Sequence, residues 1–468
     1  GPALTPSSRS CQRRECAHQL ASTRSGTSLA AAHTLLFWPE ARYAATTSRH
    51  RCTRSRSMFT SSRSFNDQPR DSQIQRGNNR WVAGTLTIGT LVGGLHPRLG
   101  AVTLAQLLSH SAGVVRDGSN GEQWHDNCAF QTAAEVRADM AGPDAGLAIT
   151  PNTRFKYSNH AYALAGMVIE AVTGEAYGDW MKREVISASD LEETLCDAPI
   201  PRGTLFARGH TGKTLLGRRM VIPGDNPALA LAPGAGFVST AADMARFFAS
   251  LSPGARRSIL RVESRREMAR RLWRDPYSNV ERWYGLGLIA SAHADWEWFG
   301  HSGRFQGYIT HSLVVPAQAL SVTVLTNATD GLSPVWLDGT LHILRALKHH
   351  GAASPRTDAW RGRWWSLWGA MDLLPARHRV LIANPALVYP LQDASEIEVQ
   401  TPVRASNDHG QVVQAGGYAN YGEPVRLERD AQGRAMALWL GSSKFQPEAD
   451  AARDLSGRYA QEALITAK

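Results

Sequence analysis

The sequence predicts an α/β (α+β) fold in which helices flank an antiparallel sheet, followed by a small β-rich C-terminal domain. Three observations support this fold class. Apolar residues recur at helical spacing between about residues 102 and 251. Three strand-like segments then follow between residues 296 and 326, with connections short enough for neighbouring antiparallel strands. From about residue 355, a Trp-rich stretch precedes further strand-like segments and turns.

The composition is that of a globular protein, except over residues 1–80, where the positive charge is concentrated. The 468 residues are 43% hydrophobic and 20% charged, enough for two or three domains with sizeable cores. Residues 1–80 hold 13 Arg, no Lys and four acidic residues, and so contribute +9 of the net charge of +10. The nearly neutral remainder argues against a nucleic-acid partner. No run of 18 apolar residues occurs, which argues against an integral membrane segment.

Residues 1–80 show no helical or strand period and are rich in Arg, Ser and Thr. Such a segment buries too little apolar surface to offset its chain entropy, so disorder is one interpretation. Translation of a G+C-rich gene in a wrong frame is the other. We therefore predict a disordered or mistranslated lead over 1–80, a first folded domain over 81–350 and a β-rich domain over 351–468.

Caps and periodicity predict the helices in order. Thr103 is a suitable N-cap for a short helix carrying Leu104, Leu107 and Leu108. A second helix is predicted over residues 132–140.

The strongest helical pattern runs from Tyr162 to Val172 and stops at Gly174, a favourable C-cap residue. Residues 199–236 are rich in Gly and Pro and are predicted to form a loop. Ser239 and Thr240 then cap a helix over residues 241–251.

The strands are predicted where the period changes. Residues 296–299, 308–315 and 320–326 form three strands of a meander, with residues 300–307 and 316–319 as connections. In the C-terminal region, turns are predicted at residues 407–410 and 430–433.

Cysteine usage gives no sign of a disulfide framework or a metal site. The five cysteines are irregularly spaced and include no C-x-x-C pair, which argues against structural zinc. The segment Thr211-Gly212-Lys213-Thr214 imitates part of a phosphate loop, but Ala207 stands where that loop needs its first Gly. We predict no metal and no cofactor.

Two short motifs allow both a structural and a chemical interpretation. In Tyr157-Ser158-Asn159, a buried aromatic would precede two helix-capping residues. His301-Ser302-Gly303 would be a turn between two strands. For each motif taken alone, this structural interpretation is enough to account for its residues.

Taken together and in fixed order, four segments resemble the class C β-lactamase-like serine hydrolases, which include penicillin-binding DD-peptidases, D-aminopeptidases and esterases. The segments are residues 107–113 (LLSHSAG), 151–159 (PNTRFKYSN), 233–244 (PGAGFVSTAADM) and 300–303 (GHSG). The resemblance implies that fold, and hydrolysis of an ester, amide or β-lactam through an acyl-enzyme without metal or cofactor. It also implies a small-molecule or peptide substrate and a periplasmic or secreted location, although no secretory signal is readable.

The resemblance assigns roles to individual residues. Tyr157 would be the acid/base that activates the nucleophilic Ser, and Asn159 would donate its amide to the substrate or to a Lys. His301 would support the Tyr and the anionic end of the substrate, with Ser302 as the middle residue of the motif. Gly303 would let substrate approach the strand. The backbone N–H of Arg304 would contribute to the oxyanion hole.

One element of the family pattern is absent. These enzymes place Ser-x-x-Lys one helical turn apart, and none of the six Lys in this chain has Ser three residues before it. The resemblance places the motif near residues 58–65, where Ser57 and Ser61 are the nearest hydroxyls and neither has the Lys partner. Either the lead is damaged there, or the protein is a non-catalytic relative. His110, between two Ser, is predicted to be structural.

Overall fold

The computed structural model describes residues 86–125, 128–144, 146–213, 217–222, 226–392, 394–400, 408–415 and 420–466. The predicted lead over 1–80 therefore lies outside the described residues, and its boundary stays a prediction. Among the described residues, no helix combines the length and apolar character needed to cross a lipid bilayer.

Eleven α-helices are described in these ranges. In chain order they are α1 (Pro97–Gly100), α2 (Leu104–Leu108), α3 (Ala133–Ala141), α4 (Asn159–Thr173), α5 (Tyr177–Met181), α6 (Ala232–Ala235), α7 (Ala241–Ser250), α8 (Val262–Met268), α9 (Ser333–His350), α10 (Pro355–Asp358) and α11 (Glu448–Thr466).

The described strands form two antiparallel sheets, each ordered as the chain runs. The first sheet contains β1 (Trp273–Arg274), β2 (Trp283–Tyr284), β3 (Ile289–His293), β4 (Trp296–Phe305), β5 (Tyr308–Val315) and β6 (Leu320–Thr326). The second contains β7 (Gly362–Ser366), β8 (Gly369–Ala376), β9 (Arg379–Ala383), β10 (Ser395–Val399), β11 (His409–Gln414), β12 (Pro424–Arg429), β13 (Ala435–Leu440) and β14 (Ser443–Phe445).

The helices predicted from caps are confirmed. Thr103 and Thr132 begin α2 and α3 with reciprocal capping boxes, closed by Gln106 and Glu135 respectively. Helix α4 ends at Gly174, whose positive φ of 71° suits a residue without a side chain. The capping hydrogen bonds at these helix ends join residues only a few positions apart, so the sequence alone is enough to locate the ends.

Helix α4 is the centre of the helical part of the molecule. Its residues from Ala161 to Val168 are mostly buried and pack in one cluster with Ile88, Leu107 and Leu231. Pro233 of α6 packs against Gly166, where a Cβ would clash with the proline ring. The prediction of an uninterrupted loop over 199–236 is therefore wrong at its end, because tertiary packing on α4 makes residues 229–235 helical.

Two helices cover opposite faces of the first sheet. Phe248 of α7 packs with Val314, whereas Leu337 of α9 packs with the adjacent Leu313 and Val315. Successive side chains of a strand point to opposite faces, so α7 and α9 lie on the two sides of β5. The predicted sheet flanked by helices is confirmed, and the region after residue 355 is β-rich as predicted.

Two predicted connections prove to be largely strand. Residues 300–305 continue β4, and only Gln306 and Gly307 form the turn to β5. The polar composition of this segment predicts a turn, but its pairing with β5 satisfies the backbone polar groups and makes it a strand. In the second sheet, His409 and Gly410 begin β11 rather than closing a turn, and residue 407 lies outside the described residues. The turn over residues 430–433 is confirmed by the Gly433 N–H donating to the Asp430 carbonyl.

The second sheet has its own core, formed by Trp360, Trp364, Val380, Ile397 and Leu438 among others. Helix α9 ends at His350, and Ala346 near that end packs against buried residues of the second sheet. The domain boundary predicted at residues 350 and 351 stays a prediction.

Candidate active site

The candidate site lies where the chain entering α4 meets the first sheet. Phe155 packs with Tyr284 of β2 and Ile289 of β3, and Tyr157 lies against this cluster. The tyrosine hydroxyl of Tyr162, in the first turn of α4, donates to the Leu108 carbonyl at 2.8 Å. The Gly287 N–H donates to the same carbonyl at 3.1 Å. One backbone oxygen thus ties the helical part to the sheet beside the site.

Ser158 fixes the start of α4. Its hydroxyl accepts from the Ala161 N–H at 2.9 Å and donates to the Val115 carbonyl at 2.6 Å. The capping interpretation therefore applies to Ser158. Asn159 is the first helical residue, and its amide donates to the Asp117 carboxylate at 2.6 Å instead of capping the helix. Tyr157 precedes the cap and projects from an extended segment.

His110 lies at the centre of the site. It adopts a positive φ of 55° in the turn after α2, and its Nδ1 accepts from the Ser158 N–H at 3.1 Å. The neutral ring consequently carries its proton on Nε2, which is buried and has no hydrogen-bond partner among the described residues. Its ring centroid lies 4.2 Å from that of Tyr157 and 4.6 Å from that of Tyr284.

Burial lowers the pKa of His110 to about 3, with smaller contributions from His301 and Lys156. The imidazole is therefore neutral at physiological pH. The sequence predicts a structural residue here, and the structure adds direct contact between His110 and Tyr157. In the sequence, the position of His110 within the family segment 107–113 is the feature that could have indicated this contact.

Tyr157 differs from the other two tyrosines around His110. Within the described part of the chain its hydroxyl makes no hydrogen bond, whereas the hydroxyls of Tyr162 and Tyr284 are both bonded. Burial raises the pKa of Tyr157, while Arg116 lowers it and Asp117 raises it further. In this environment the phenol stays protonated near neutral pH.

Lys156 is the cation adjacent in sequence to Tyr157. Its Nζ donates to the backbone carbonyl of Tyr157 at 3.2 Å, so its hydrogen bond stabilises the backbone and leaves the hydroxyl free. Burial lowers the pKa of Lys156, and Arg116 lowers it further.

His301 is held by Tyr284. The His301 Nδ1 lies 2.6 Å from the Ser302 carbonyl, which can only accept, so Nδ1 carries the proton. Nε2 then accepts from the Tyr284 hydroxyl at 2.9 Å. Burial lowers the pKa of His301, which keeps the ring neutral. The sequence does not indicate Tyr284 as a site residue, because a two-residue strand is too short to show the alternation of apolar and polar residues that identifies a strand.

Among the described strands, the end of β4 has a partner on one side only, beside the site. Strand β3 pairs with β4 as far as Gly300, so within the described structure His301 to Phe305 pair with β5 alone. Gly303 and Arg304 are exposed, and the Arg304 side chain makes no hydrogen bond or ion pair with another described residue. Ser302 pairs with His311 of β5. This edge leaves backbone groups available to an extended ligand.

The titratable groups of the site bond chiefly to one another and to backbone. Within the ranges that the structure describes, no group of three or more His, Cys, Asp or Glu side chains could hold a metal ion. Ser109 and Ser111 near His110 are buried, with their hydroxyl oxygens 3.1 Å apart. Residues 58–65, where the resemblance places the nucleophile, lie outside the described residues.

Residues 91–346 match the family model described as Beta-lactamase, which is more than half of the chain. The chain belongs to the beta-lactamase family. The resemblance inferred from the four sequence segments is thereby confirmed.

Individual relatives of this beta-lactamase-family chain are distant. It is 26% identical over 240 residues to "Penicillin-binding protein 4" of Amycolatopsis lactamdurans, over 48% of this chain and 59% of that protein. The chain thus matches less than two thirds of this relative's length.

Solved structures similar to this chain include an octameric penicillin-binding protein homologue from Pyrococcus abyssi, with a TM-score of 0.48 and 19% identity over 77% of this chain and 82% of that one. A D-stereospecific amidohydrolase from Streptomyces sp. has a TM-score of 0.42 and 26% identity, covering 52% of this chain and 74% of that chain.

The family match of this beta-lactamase-family chain spans the residues of the candidate site, whose roles stay predictions. It includes Tyr157, Asn159 and residues 301–304, and the described structure connects Tyr157 to His301 through the ring of Tyr284. It begins after residues 58–65, so the segment expected to carry Ser-x-x-Lys lies outside the match.

Proposed function

We propose that this site belongs to a serine hydrolase that cleaves an ester, amide or β-lactam through an acyl-enzyme, with Tyr157 as its acid/base. We also propose that this chain is impaired because it lacks Ser-x-x-Lys. The observation that carries the assignment is the hydroxyl of Tyr157. It alone of the three tyrosines around His110 has no hydrogen bond among the described residues, so it is available for proton transfer.

The proposed chemistry is acyl transfer in two steps. A Ser hydroxyl attacks the substrate carbonyl while Tyr157, as its phenolate, accepts the Ser proton and passes it to the leaving group. Water then attacks the ester in the same way and releases the acid. The backbone N–H of Arg304, an exposed residue, would donate to the carbonyl oxygen, and Gly303 would admit the substrate to the strand edge. Asn159 donates to Asp117, so its amide oxygen would accept from the substrate amide.

Impairment follows from two features. Burial raises the pKa of Tyr157, so the phenolate requires a cation near its oxygen. His301 is neutral, and Lys156 bonds to a backbone carbonyl instead. The Lys of Ser-x-x-Lys would provide that cation, and its Ser would provide the nucleophile. Loss of such a nucleophile can reduce turnover by about 10⁶-fold.

The test combines a fluorescent penicillin with intact-protein mass spectrometry, followed by turnover of nitrocefin and p-nitrophenyl acetate. We expect no stoichiometric covalent adduct and turnover close to that of buffer, and any turnover above buffer should fall about 10²-fold or more in Tyr157→Phe. Tyr421→Phe removes a tyrosine hydroxyl from an exposed position between β11 and β12, away from the site, and is the control. A stoichiometric adduct would overturn the proposed impairment, and turnover indifferent to Tyr157→Phe would overturn its role.

The absent motif also favours a second candidate, a non-catalytic relative that binds peptidoglycan-like peptides or a partner protein. Calorimetric titration with a peptide ending in D-Ala-D-Ala separates the candidates. Saturable binding without any residual turnover sensitive to Tyr157→Phe would support the binding module. Turnover that this substitution removes would support the impaired hydrolase.

A further inference from the structure

A basic cavity, open to solvent, lies away from the candidate active site. It has a volume of about 470 Å³ and lies between the C-terminal end of α9 and the turn that joins β8 to β9. The lining residues are His349, His350, Ala376, Arg377, His378, Arg379 and Glu398. None of them belongs to the site around Tyr157.

The charges in this cavity do not cancel. Glu398 is the only acidic residue among the described residues of the lining, and its Oε1 lies 2.6 Å from Nη1 of Arg379. Arg379 also faces Glu396, with its Nε 3.8 Å from that carboxylate. Both carboxylates are thus paired with Arg379. The remaining donors of the lining are the guanidinium of Arg377 and three imidazoles, which can donate hydrogen bonds.

Arg377 has an anchored backbone and an unengaged charge. Its N–H donates to the Gly351 carbonyl at 3.4 Å, and its own carbonyl accepts from the Thr357 hydroxyl at 3.4 Å. The side chain is exposed, and its guanidinium makes no hydrogen bond or ion pair with any residue that the structure describes. A fixed backbone that presents a free guanidinium beside imidazoles is suited to bind an oxyanion.

We propose that this cavity binds a phosphate group carried on an organic molecule. Phosphate oxygens match the forked donors of Arg377, and the imidazoles of His349, His350 and His378 can donate to the remaining oxygens. The volume falls in the usual range of small-ligand pockets, roughly 300–1,000 Å³, so it also has room for the organic part of the ligand. The phosphate can come from a soluble ester or from a lipid headgroup.

Isothermal titration of the full chain with pyrophosphate and with glycerol 3-phosphate tests the soluble source. Sedimentation with phosphatidylglycerol vesicles, against phosphatidylcholine vesicles, tests the lipid source. We expect saturable binding of at least one probe, weakened about ten-fold or more by Arg377→Gln because charge-assisted hydrogen bonds are lost. His378→Gln should weaken the same probe.

Arg266→Gln is the matched control. Arg266 is also exposed and makes no hydrogen bond or ion pair with a described residue, so its replacement removes the same charge elsewhere. We expect it to leave binding unchanged. Absence of saturable binding with every probe, or equal weakening by Arg377→Gln and Arg266→Gln, would overturn the proposal. Neither variant touches the site around Tyr157, so this outcome is independent of the proposed hydrolase.

Discussion

At the scale of single residues, the three tyrosines around His110 divide by the use of their hydroxyls. Tyr162 bonds the Leu108 carbonyl and Tyr284 bonds His301, whereas Tyr157 bonds no described residue. A hydroxyl that stabilises the fold has a partner in it.

This division predicts the stability of two matched variants. Tyr157→Phe should change the free energy of unfolding by about 0.5 kcal/mol or less, because no internal hydrogen bond is lost. Tyr284→Phe should cost about 1–3 kcal/mol, because it leaves the partly buried His301 Nε2 without its donor. Urea unfolding of both variants measures the difference. Equal losses would contradict the division.

His110 predicts how stability depends on pH. Its pKa is about 3 in the folded protein and about 6.5 when unfolded. Between pH 3 and pH 6.5, the unfolded chain therefore binds a proton at this residue and the folded chain does not. Its contribution to stability is complete above pH 6.5 and is lost as pH falls towards 3, by about 1.4 kcal/mol per pH unit. His311, whose pKa burial lowers to about 4, acts in the same direction.

His110→Asn tests this dependence, because Asn tolerates positive φ and its carbonyl can accept from the Ser158 N–H. Between pH 6 and 4, the slope of unfolding free energy against pH should decrease by about 1.4 kcal/mol per unit. Urea titrations at several pH values measure the slope. His378→Asn, at an exposed site, is the control, and an equal change of slope in both variants would refute the assignment.

At the scale of elements, β4 contains two glycines with different surroundings. A Cβ at Gly300 would meet the backbone of Ser312 and Leu313 on β5, which cannot move without breaking the ladder. A Cβ at Gly303 would approach the Thr310 hydroxyl at 2.5 Å, and that side chain can rotate away. The first glycine is therefore needed for strand packing, whereas the second can be replaced without disrupting the ladder.

We expect Gly300→Ala to lower the free energy of unfolding by about 2–4 kcal/mol, since it forces a backbone shift. Gly303→Ala should cost about 1 kcal/mol or less. Chemical denaturation of the two variants in parallel provides the measurement. Gly303→Ala proving as destabilising as Gly300→Ala would contradict the rotation of Thr310 away from the added Cβ.

At the scale of the whole molecule, α9 contacts both sheets. Leu337 and Leu341 pack on the first sheet, and Asp338 bonds residues from two separate parts of the chain. The His293 Nδ1 lies 2.8 Å from one carboxylate oxygen, and the Tyr389 hydroxyl donates to the other. The hydrogen bond with His293 is the main cause that lowers the pKa of Asp338, opposed by burial.

Asp338→Asn should therefore lower stability at neutral pH by about 1 kcal/mol, allowing for solvent screening of a partly exposed carboxylate. Because the folded pKa is depressed, this contribution is present above about pH 3.8 and disappears as pH falls below it. Thermal melts at pH 7 and pH 3 measure the loss. Asp295→Asn removes an exposed pair with Arg345 on the same helix and should have little effect. Equal effects would count against a linking role for Asp338.

Features that depend on short stretches of chain could be predicted from the amino-acid sequence alone. Thr103, Thr132 and Thr240 begin their helices as predicted, and Gly174 ends α4, because capping involves residues only a few positions apart. The four family segments likewise identified the family, since their order and residue types are visible in the chain itself.

Contacts between residues far apart in the chain depend on tertiary packing and could not be predicted from the sequence. Residues 300–305 became strand because β5 supplies partners for their backbone, and 229–235 became helical against α4. Tyr284 entered the site, and His110 came into contact with Tyr157, through ring contacts between residues 47 or more positions apart. Contacts across such separations depend on how helices and sheet pack together, and no local period or cap records that packing.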